Sequence, residues 1–170
     1  LISNDIKKVS ETNSCFASLL TPQGKYLFEF IITKHKKGYF LECEKKIIDE
    51  LFIKLNSYKF RSKVEILNLS NEFVVAVLSR EKFLTLENSK DVLGYTTKFR
   101  EDPIYLDPRH KDLGARLITN LEKLHLSLKL LELKSSNLDE YYSVSNKLGI
   151  PQTNTAVSYT HLTLPTNSNV

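Results

Sequence analysis

The chain has 170 residues, of which 41% are hydrophobic and 26% charged, a size and composition typical of one globular domain with a hydrophobic core. No apolar run approaches the ~20 residues that a membrane-spanning helix needs, so we expect no membrane partner. The net charge of +4 comes from lysines scattered among acids, and without a basic block we expect no nucleic-acid partner. Two cysteines are too few for a disulfide framework, which favours a reducing compartment: the cytoplasm or, in a eukaryote, the mitochondrial matrix.

The first half of the chain predicts a three-stranded antiparallel meander. Residues 14–20 and 25–33 are apolar runs on either side of a TPQG turn, in which Pro22 presets φ and Gly24 tolerates positive φ. Residues 39–43 form a third run after a turn-like HKKG. Aromatic and β-branched residues suit such strands. We expect this meander at the centre of the sheet.

A helix is predicted at residues 44–58, where apolar residues at three- and four-residue spacings form a stripe that would face the sheet. Strands are predicted at 64–69, 73–79 and 91–95, and 80–87 is ambiguous. The order predicts an α+β fold, a mostly antiparallel sheet with helices packed on it. The predicted core comprises Phe16, Leu19, Phe30, Ile32, Leu41, Ile48, Leu51, Val75 and Val77.

Toward the C-terminus, two prolines exclude a helix at the start of residues 102–117. The leucines of residues 120–134 fit either a helix or a strand, and this alternative stays open. Residues 138–148 predict a helix, with Asp139 in its first turn and Gly149 just past its end.

Catalytic motifs are largely missing from the sequence. The histidines are scattered, the two cysteines lie far apart, and no P-loop or nucleophile elbow occurs. The polar cluster of most interest is Asp107, Arg109 and Arg116, because two arginines can clamp a carboxylate or a phosphate. Alternatively, these residues fix a loop to the domain, and from chemistry alone we favour that structural role.

Several blocks together resemble the YgfZ branch of the YgfZ/GcvT folate-binding family. They are LLTPQGKYLFEFIIT, YFLEC, the helix, FRSKVEI, YLDPRHKDLGARL and LGIP, in family order over residues 1–151. The most specific are the block that begins at Arg61 and the one that runs from Asp107 and Arg109 through Gly114 and Arg116. We assign these five residues to the structural motif of the family.

The resemblance implies an aminomethyltransferase folate-binding-like fold, arranged in the family as three domains around a tetrahydrofolate pocket. It implies an accessory role in the maturation or repair of iron-sulfur enzymes, with iron-sulfur assembly proteins as partners; mitochondrial family members act late in the assembly of four-iron clusters. By matching family blocks, the residues expected to bind folate are Asn4, Asp5, Gln23, Gly24 and Glu29.

The chain departs from the family pattern at two places that bear on enzymatic activity. True aminomethyltransferases carry an Asp-Asp pair where this chain has Phe28 and Glu29, which weakens the alternative of a glycine-cleavage-type aminomethyltransferase. Ser145 stands where family members often carry an arginine. We therefore expect a protein that is not a classical enzyme, with a non-catalytic protein-interaction domain as a third interpretation.

Both ends of the sequence indicate a fragment. The chain begins at Leu1, contains no methionine and lacks the Lys-Gly-Cys motif that the family carries beyond its Gly-Ile-Pro block. Residues 157–166, VSYTHLTLPT, resemble the translation of a sequencing-library transposon adapter. We expect residues 1–155 to be a partial folate-binding-like region and residues 156–170 a non-native tail.

Overall fold

The structure is a computed structural model that describes residues 2–150, and the tail expected at 156–170 lies outside the described residues. Antiparallel strands and helices combine in an α+β arrangement, as predicted. The strands are β1 (Cys15–Leu20), β2 (Tyr26–His35), β3 (Gly38–Glu42), β4 (Val74–Leu78), β5 (Thr96–Phe99), β6 (Asp102–Leu106) and β7 (Ala115–Thr119). The α-helices are α1 (Ile48–Lys59), α2 (Arg80–Leu84), α3 (Leu121–Leu130) and α4 (Leu138–Lys147), and short 3-10 turns lie at Ile6–Lys8, Lys45–Ile47 and Lys111–Leu113.

The predicted meander is confirmed: β1, β2 and β3 form an antiparallel sheet in that order. Its first turn closes as the sequence indicates, with Gly24 at a φ of 79° and its backbone N–H donating to the carbonyl of Thr21 at 2.9 Å. The expectation that the meander is the centre of one sheet is wrong. The other strands form a second antiparallel sheet, in the order β4-β7-β6-β5.

The two sheets face each other and each is covered by helix on its outer side. Leu51 of α1 packs on the outer face of the first sheet with Ala17, Leu19 and Phe30. Between the sheets, Ile31 of β2 packs against Tyr105 and Ile118 of the second sheet. The outer face of the second sheet packs against Phe83 of α2 and the segment after α3, through Leu78, Ile104, Leu106, Ala115 and Leu117.

Buried hydroxyl groups join the two sheets at one side. The Ser14 hydroxyl lies 2.8 Å from that of Thr33 and 2.7 Å from that of Thr96, and Thr96 also donates to the carbonyl of Gly94 at 2.9 Å. The backbone N–H of Thr96 donates to the carbonyl of Thr12 at 3.0 Å. Hydrogen-bonding groups buried away from water need such partners, so these contacts fix the position of one sheet on the other.

Two predicted strands are wrong. Residues 64–69 pair with no strand in the part of the chain that the structure describes, and Val64 and Leu67 are 54% and 61% exposed. Strand propensity reflects packing against neighbours, and this segment has no neighbouring strand to pack on. Residues 91–95 form a turn that ends at Gly94, whose φ is 74°, so the strand begins only at Thr96.

The predicted core is correct in part. Leu19, Phe30, Ile32 and Leu51 are buried, and Phe16 and Ile48 are half-buried. The predictions for Leu41, Val75 and Val77 are wrong, because these residues are exposed on β3 and β4, the edge strands of their sheets.

The C-terminal elements settle what the sequence left open. Within residues 120–134, residues 121–130 form a helix, α3, so the helical alternative is the correct one; the Asn120 side chain caps it by accepting from the backbone N–H of Lys123 at 2.9 Å. The predicted helix at 138–148 is confirmed, with Gly149 at a φ of 66° beyond its end. Among residues 2–150, no helix is both long and apolar enough to cross a membrane.

Candidate functional site

A buried group of charged and phenolic side chains lies where β3, the second sheet and α4 meet. We call Glu42, Tyr105, Asp107, Arg109, Arg116 and Tyr141 the arginine cluster. Its centre is Arg116 on β7, whose side chain is 11% exposed and whose Nε donates to Glu42 Oε1 at 2.6 Å. Arg116 Nη1 donates to the Tyr141 hydroxyl at 2.8 Å and lies 3.4 Å from Asp107 Oδ2. One guanidinium therefore ties together both sheets and the last helix.

Asp107 organises the loop between β6 and β7. Its side chain is 0% exposed and accepts from the Arg109 backbone N–H at 2.9 Å, from Arg109 Nε at 3.0 Å and from Arg109 Nη2 at 2.7 Å. Arg109 Nη2 also donates to the Tyr141 hydroxyl at 3.0 Å, and the guanidinium lies 5.9 Å from the centre of the Phe16 ring. These contacts hold the loop in one conformation.

The charges within the arginine cluster balance, with two guanidinium groups facing two carboxylates. Burial lowers the pKa of Arg109, but the hydrogen bonds and charge of Asp107 outweigh that effect and raise it. Burial, with the nearby charge of Glu42, raises the pKa of the Tyr105 hydroxyl well above its usual value. Tyr105 is therefore a neutral donor, and it donates to the second oxygen of Glu42. Both arginines are already paired with acids of this chain.

The structure brings one of the predicted folate-binding residues, Glu29, close to the arginine cluster, and Asn4 contacts the strand beside it. Glu29 lines a crevice of about 30 Å³ together with Phe16, Arg109 and Arg116. The Asn4 amide donates to the carbonyl of the same Phe16 at 3.0 Å. Asn4 therefore lies at the edge of β1, whereas Glu29 lies on the β1–β2 face that looks toward the arginines.

The other predicted folate-binding residues, and Arg61 of the family motif, lie in other parts of the structure. Asp5 is exposed and caps the first 3-10 turn, where its Oδ1 accepts from the Lys7 backbone N–H at 2.9 Å. Gln23 and Gly24 form the exposed tip of the β1–β2 turn. Arg61 is exposed after α1 and takes no part in the arginine cluster, although the family motif groups it with Asp107 and Arg109.

Gly114 is the remaining residue of the family motif, and Phe28 and Ser145 are the two positions at which the chain departs from the family. Gly114 has a φ of 77°, and a Cβ there would lie 2.0 Å from the carbonyl oxygen of Leu78, so only glycine fits between β7 and β4. The substituted position Phe28 packs against the core under α1, whereas Glu29 faces the crevice. Ser145 is buried on α4, and its hydroxyl donates to the carbonyl of Ile150 at 3.2 Å.

A larger cavity of about 1330 Å³ opens on the other side of the arginine cluster, and we call it the β3 groove. It is bounded by β3, α1, residues 65–70, β4 and α4. Glu42, Cys43 and Arg116 line both the groove and the small crevice. Burial, with the charges of Glu42 and Glu44, raises the pKa of the Cys43 thiol to about 12, so this thiol is a poor nucleophile at neutral pH.

Sequence reasoning missed three members of the arginine cluster: Glu42, Tyr105 and Tyr141. Glu42 and Tyr105 lie within the family-like blocks YFLEC and YLDPRHKDLGARL, so those blocks contained a signal for them. Tyr141 gave none, because it follows Arg116 by 25 residues, on a helix predicted only from Asp139 in its first turn and Gly149 just past its end. Within residues 2–150, no group of three or more His, Cys, Asp or Glu side chains is placed to hold a metal ion.

Fold and site together define an α+β domain of two facing antiparallel sheets, held at one side by a buried and balanced charge cluster. No protein-family model matches the chain. The chain is 24% identical over 173 residues to the iron-sulfur cluster assembly factor IBA57 homolog, mitochondrial, of Dictyostelium discoideum. The match covers 88% of this chain and 42% of that protein, so the chain spans less than half the length of its relative. This distant similarity supports the broad family that the sequence blocks resemble.

Proposed function

We propose that this chain is a folate-binding accessory protein that supports the maturation or repair of iron-sulfur enzymes. The observation that carries the proposal is the match over 88% of the chain to a protein described as an iron-sulfur cluster assembly factor. That relative is described as mitochondrial, which favours the mitochondrial matrix over the cytoplasm as the place of action. The order of the family-like blocks is consistent with the same role.

The proposed residues offer hydrogen-bond acceptors that suit tetrahydrofolate, but the crevice beside them is too small to enclose it. The edge of a pterin carries amine and amide donors, and the carboxylates of Glu29 and Asp5 are acceptors for such groups. The crevice beside Glu29 holds about 30 Å³, whereas small-molecule sites usually enclose ~300–1,000 Å³. We therefore place the ligand outside the crevice, between Glu29 and the exposed β1–β2 turn, and expect this chain by itself to bind it weakly.

The arginine cluster supports a structural role for the Asp107–Arg109–Arg116 motif in this function. Both guanidinium groups are engaged by Asp107, Glu42 and the Tyr141 hydroxyl, and neither needs an external anion to balance its charge. In the proposal, the cluster holds the loop and α4 against the sheet that carries Glu29. The glutamate tail of folate is then bound elsewhere.

An accessory role is favoured over an aminomethyltransferase by the neighbourhood of Glu29. The residue beside it, Phe28, packs into the core under α1, so this position adds no second acid to handle the proton of an amine. The Cys43 thiol, with a pKa near 12, offers no nucleophile in its place.

The role in iron-sulfur metabolism is tested by deleting the gene that encodes this chain in its own organism. We expect the activity of enzymes with four-iron clusters to fall several-fold, because their clusters are not completed or repaired. An enzyme of the same compartment that carries no cluster is the control and should keep its activity. Full activity of the four-iron enzymes in the deletion strain would reject the proposed role.

Folate binding is tested separately by calorimetry with tetrahydrofolate. Asp5→Asn keeps an acceptor that can cap the 3-10 turn but removes the charge, and Glu29→Gln removes the charge beside the crevice. Each variant should weaken the binding further, while Glu122→Gln on the exposed face of α3 should not. Unchanged affinity in both site variants would remove this site assignment and leave the iron-sulfur role untouched.

A further inference from the structure

The outer edge of the first sheet is open to the β3 groove. Within residues 2–150, β3 pairs with β2 on one side and with no strand on the other. Its sequence, GYFLE, contains no lysine or proline, and Tyr39 and Leu41 are 45% and 38% exposed. Proteins usually protect an edge strand with lysine, proline or a bulge, because its free N–H and C=O groups can pair with another chain. This edge lacks the first two protections.

A second segment with strand-like sequence borders the same groove. Residues 65–70 line it and form no strand, although their composition predicts one. The segment is held in place, because the Asn68 amide donates to Asp49 of α1 at 3.0 Å and the carbonyl of Leu69 accepts from the backbone N–H of Phe73 at 3.0 Å. Two segments capable of strand pairing therefore border the groove, and neither has a partner strand on that side among the described residues.

The groove also has an apolar bed. Val75 and Val77 of β4 are exposed into it, and Phe52 and Leu55 of α1 line it opposite. One end lies beside Phe40, whose ring packs 5.1 Å from that of Phe73 between centroids. Side chains on alternate positions of an incoming strand would find apolar surface here.

Carboxylates exceed basic groups around the groove, although the whole chain carries a net charge of +4. The lining acids outside the arginine cluster are Glu44, Glu65, Glu81, Asp112 and Glu140. The lining cations outside the cluster are Lys45 and Arg80, and Arg80 already pairs with Asp91. Within the cluster, Glu42 and Arg116 neutralise each other. The groove therefore favours a cationic occupant.

We propose that the β3 groove binds an extended segment of a partner protein, apolar on one face and rich in lysine or arginine, which adds to β3 as a fourth strand. The cavity of about 1330 Å³ exceeds the ~300–1,000 Å³ of ordinary small-molecule sites. It is lined by eight consecutive residues, 38–45, along the strand edge. Strand addition of this kind takes affinity from main-chain hydrogen bonds and specificity from alternate side chains. The inference does not depend on folate binding.

The probe is a fluorescent heptapeptide of alternating lysine and valine, with binding to the whole chain followed by anisotropy at low salt. Hydrogen exchange should show new protection of the backbone amides of β3. A peptide of the same sequence, N-methylated at every second residue on its pairing edge, should bind at least tenfold more weakly, because it cannot donate to the strand. Replacing lysine by glutamate should abolish binding.

Protein variants locate the site. Leu41→Lys on β3 and Val77→Lys on β4 should each weaken binding at least tenfold, because they add positive charge to the groove. Leu121→Lys, at an exposed position of α3 outside the groove, is the matched control and should bind as the parent does. Equal binding of the N-methylated or the glutamate peptide, or protection outside β3, would overturn the proposal. So would protection of β3 in a self-associated form without peptide, which would assign the edge to a second copy of the chain.

Discussion

Replacing Arg116 by methionine should be among the most damaging single changes in this protein. The substitution keeps a side chain of similar length but removes the hydrogen bonds to Glu42, Asp107 and Tyr141. Asp107 keeps Arg109 as its partner, whereas Glu42, 7% exposed, keeps only the Tyr105 hydroxyl among the contacts of the arginine cluster. Leaving one buried charge without its ionic partner costs about 3–5 kcal/mol.

A loss of this size is a large part of a total stability of about 5–15 kcal/mol. It would be measured as the free energy of unfolding in urea, followed by circular dichroism. Removing both charges in Arg116→Met/Glu42→Leu should recover most of the loss, because a well-packed apolar pair often replaces a buried ion pair without cost. Arg80→Met is the matched control: its pair with Asp91 lies at the surface, where ion pairs contribute little.

The result that would refute this reasoning is a loss below about 1 kcal/mol in Arg116→Met, the range of an exposed ion pair. A double variant as unstable as the sum of the two single variants would refute it as well. Additivity of that kind is typical of residues that do not interact.

Three further predictions follow from individual positions. Gly114→Ala should lose about 3 kcal/mol or more, from positive-φ strain together with a backbone clash, whereas Gly24→Ala, with a φ of 79° but open space around it, should lose clearly less in the same urea assay. The Cys43 thiol, with a pKa of about 12, should react with a thiol reagent at pH 8 about 50-fold more slowly than a free cysteine of pKa ~8.5, because its much lower thiolate fraction is only partly offset by a more nucleophilic thiolate; comparable rates would contradict its burial. Hydrogen bonds from Arg80 and Lys111 lower the pKa of the Asp91 carboxyl to about 2, below the ~3.9 of an aspartate in an unfolded chain. The contribution of Asp91 to stability is therefore present above about pH 4 and is lost as the pH falls toward 2. Asp91→Asn should flatten the stability profile in that range only slightly, because the pair lies at the surface, and a steeper acid profile in the variant would contradict the pairing.

Local signals in the sequence were sufficient to predict the first sheet and the helix α1 that packs on it. The turn at Gly24 and the apolar stripe that includes Leu51 each specify their element within a few residues, so the meander and α1 lie where they were predicted. The strand prediction at residues 64–69 failed for the opposite reason. Its residues have strand propensity, but a strand also needs a neighbour, and no local pattern tells whether one is present.

The candidate site depends on contacts that local patterns do not encode. Asp107 and Arg109 are close in sequence, and their interaction could be anticipated as one that fixes a loop. Glu42 and Arg116 are 74 residues apart, and their pairing requires the two sheets to face each other. The sequence patterns described one sheet where there are two, so the face on which Glu29 meets the arginines could not be derived from them.

The separation of the two sheets along the chain has a consequence for synthesis on the ribosome. The first sheet and α1 are complete at Lys59, but its inner face is covered by strands that end at Thr119, 60 residues later. At about 5–20 residues per second, that interval lasts about 3–12 s. Throughout it, Phe16, Ile31 and Phe40 have no second sheet to pack on. Each newly made molecule therefore passes through a stage with an uncovered apolar surface, and its yield should depend on how many chaperones are free to hold the nascent chain.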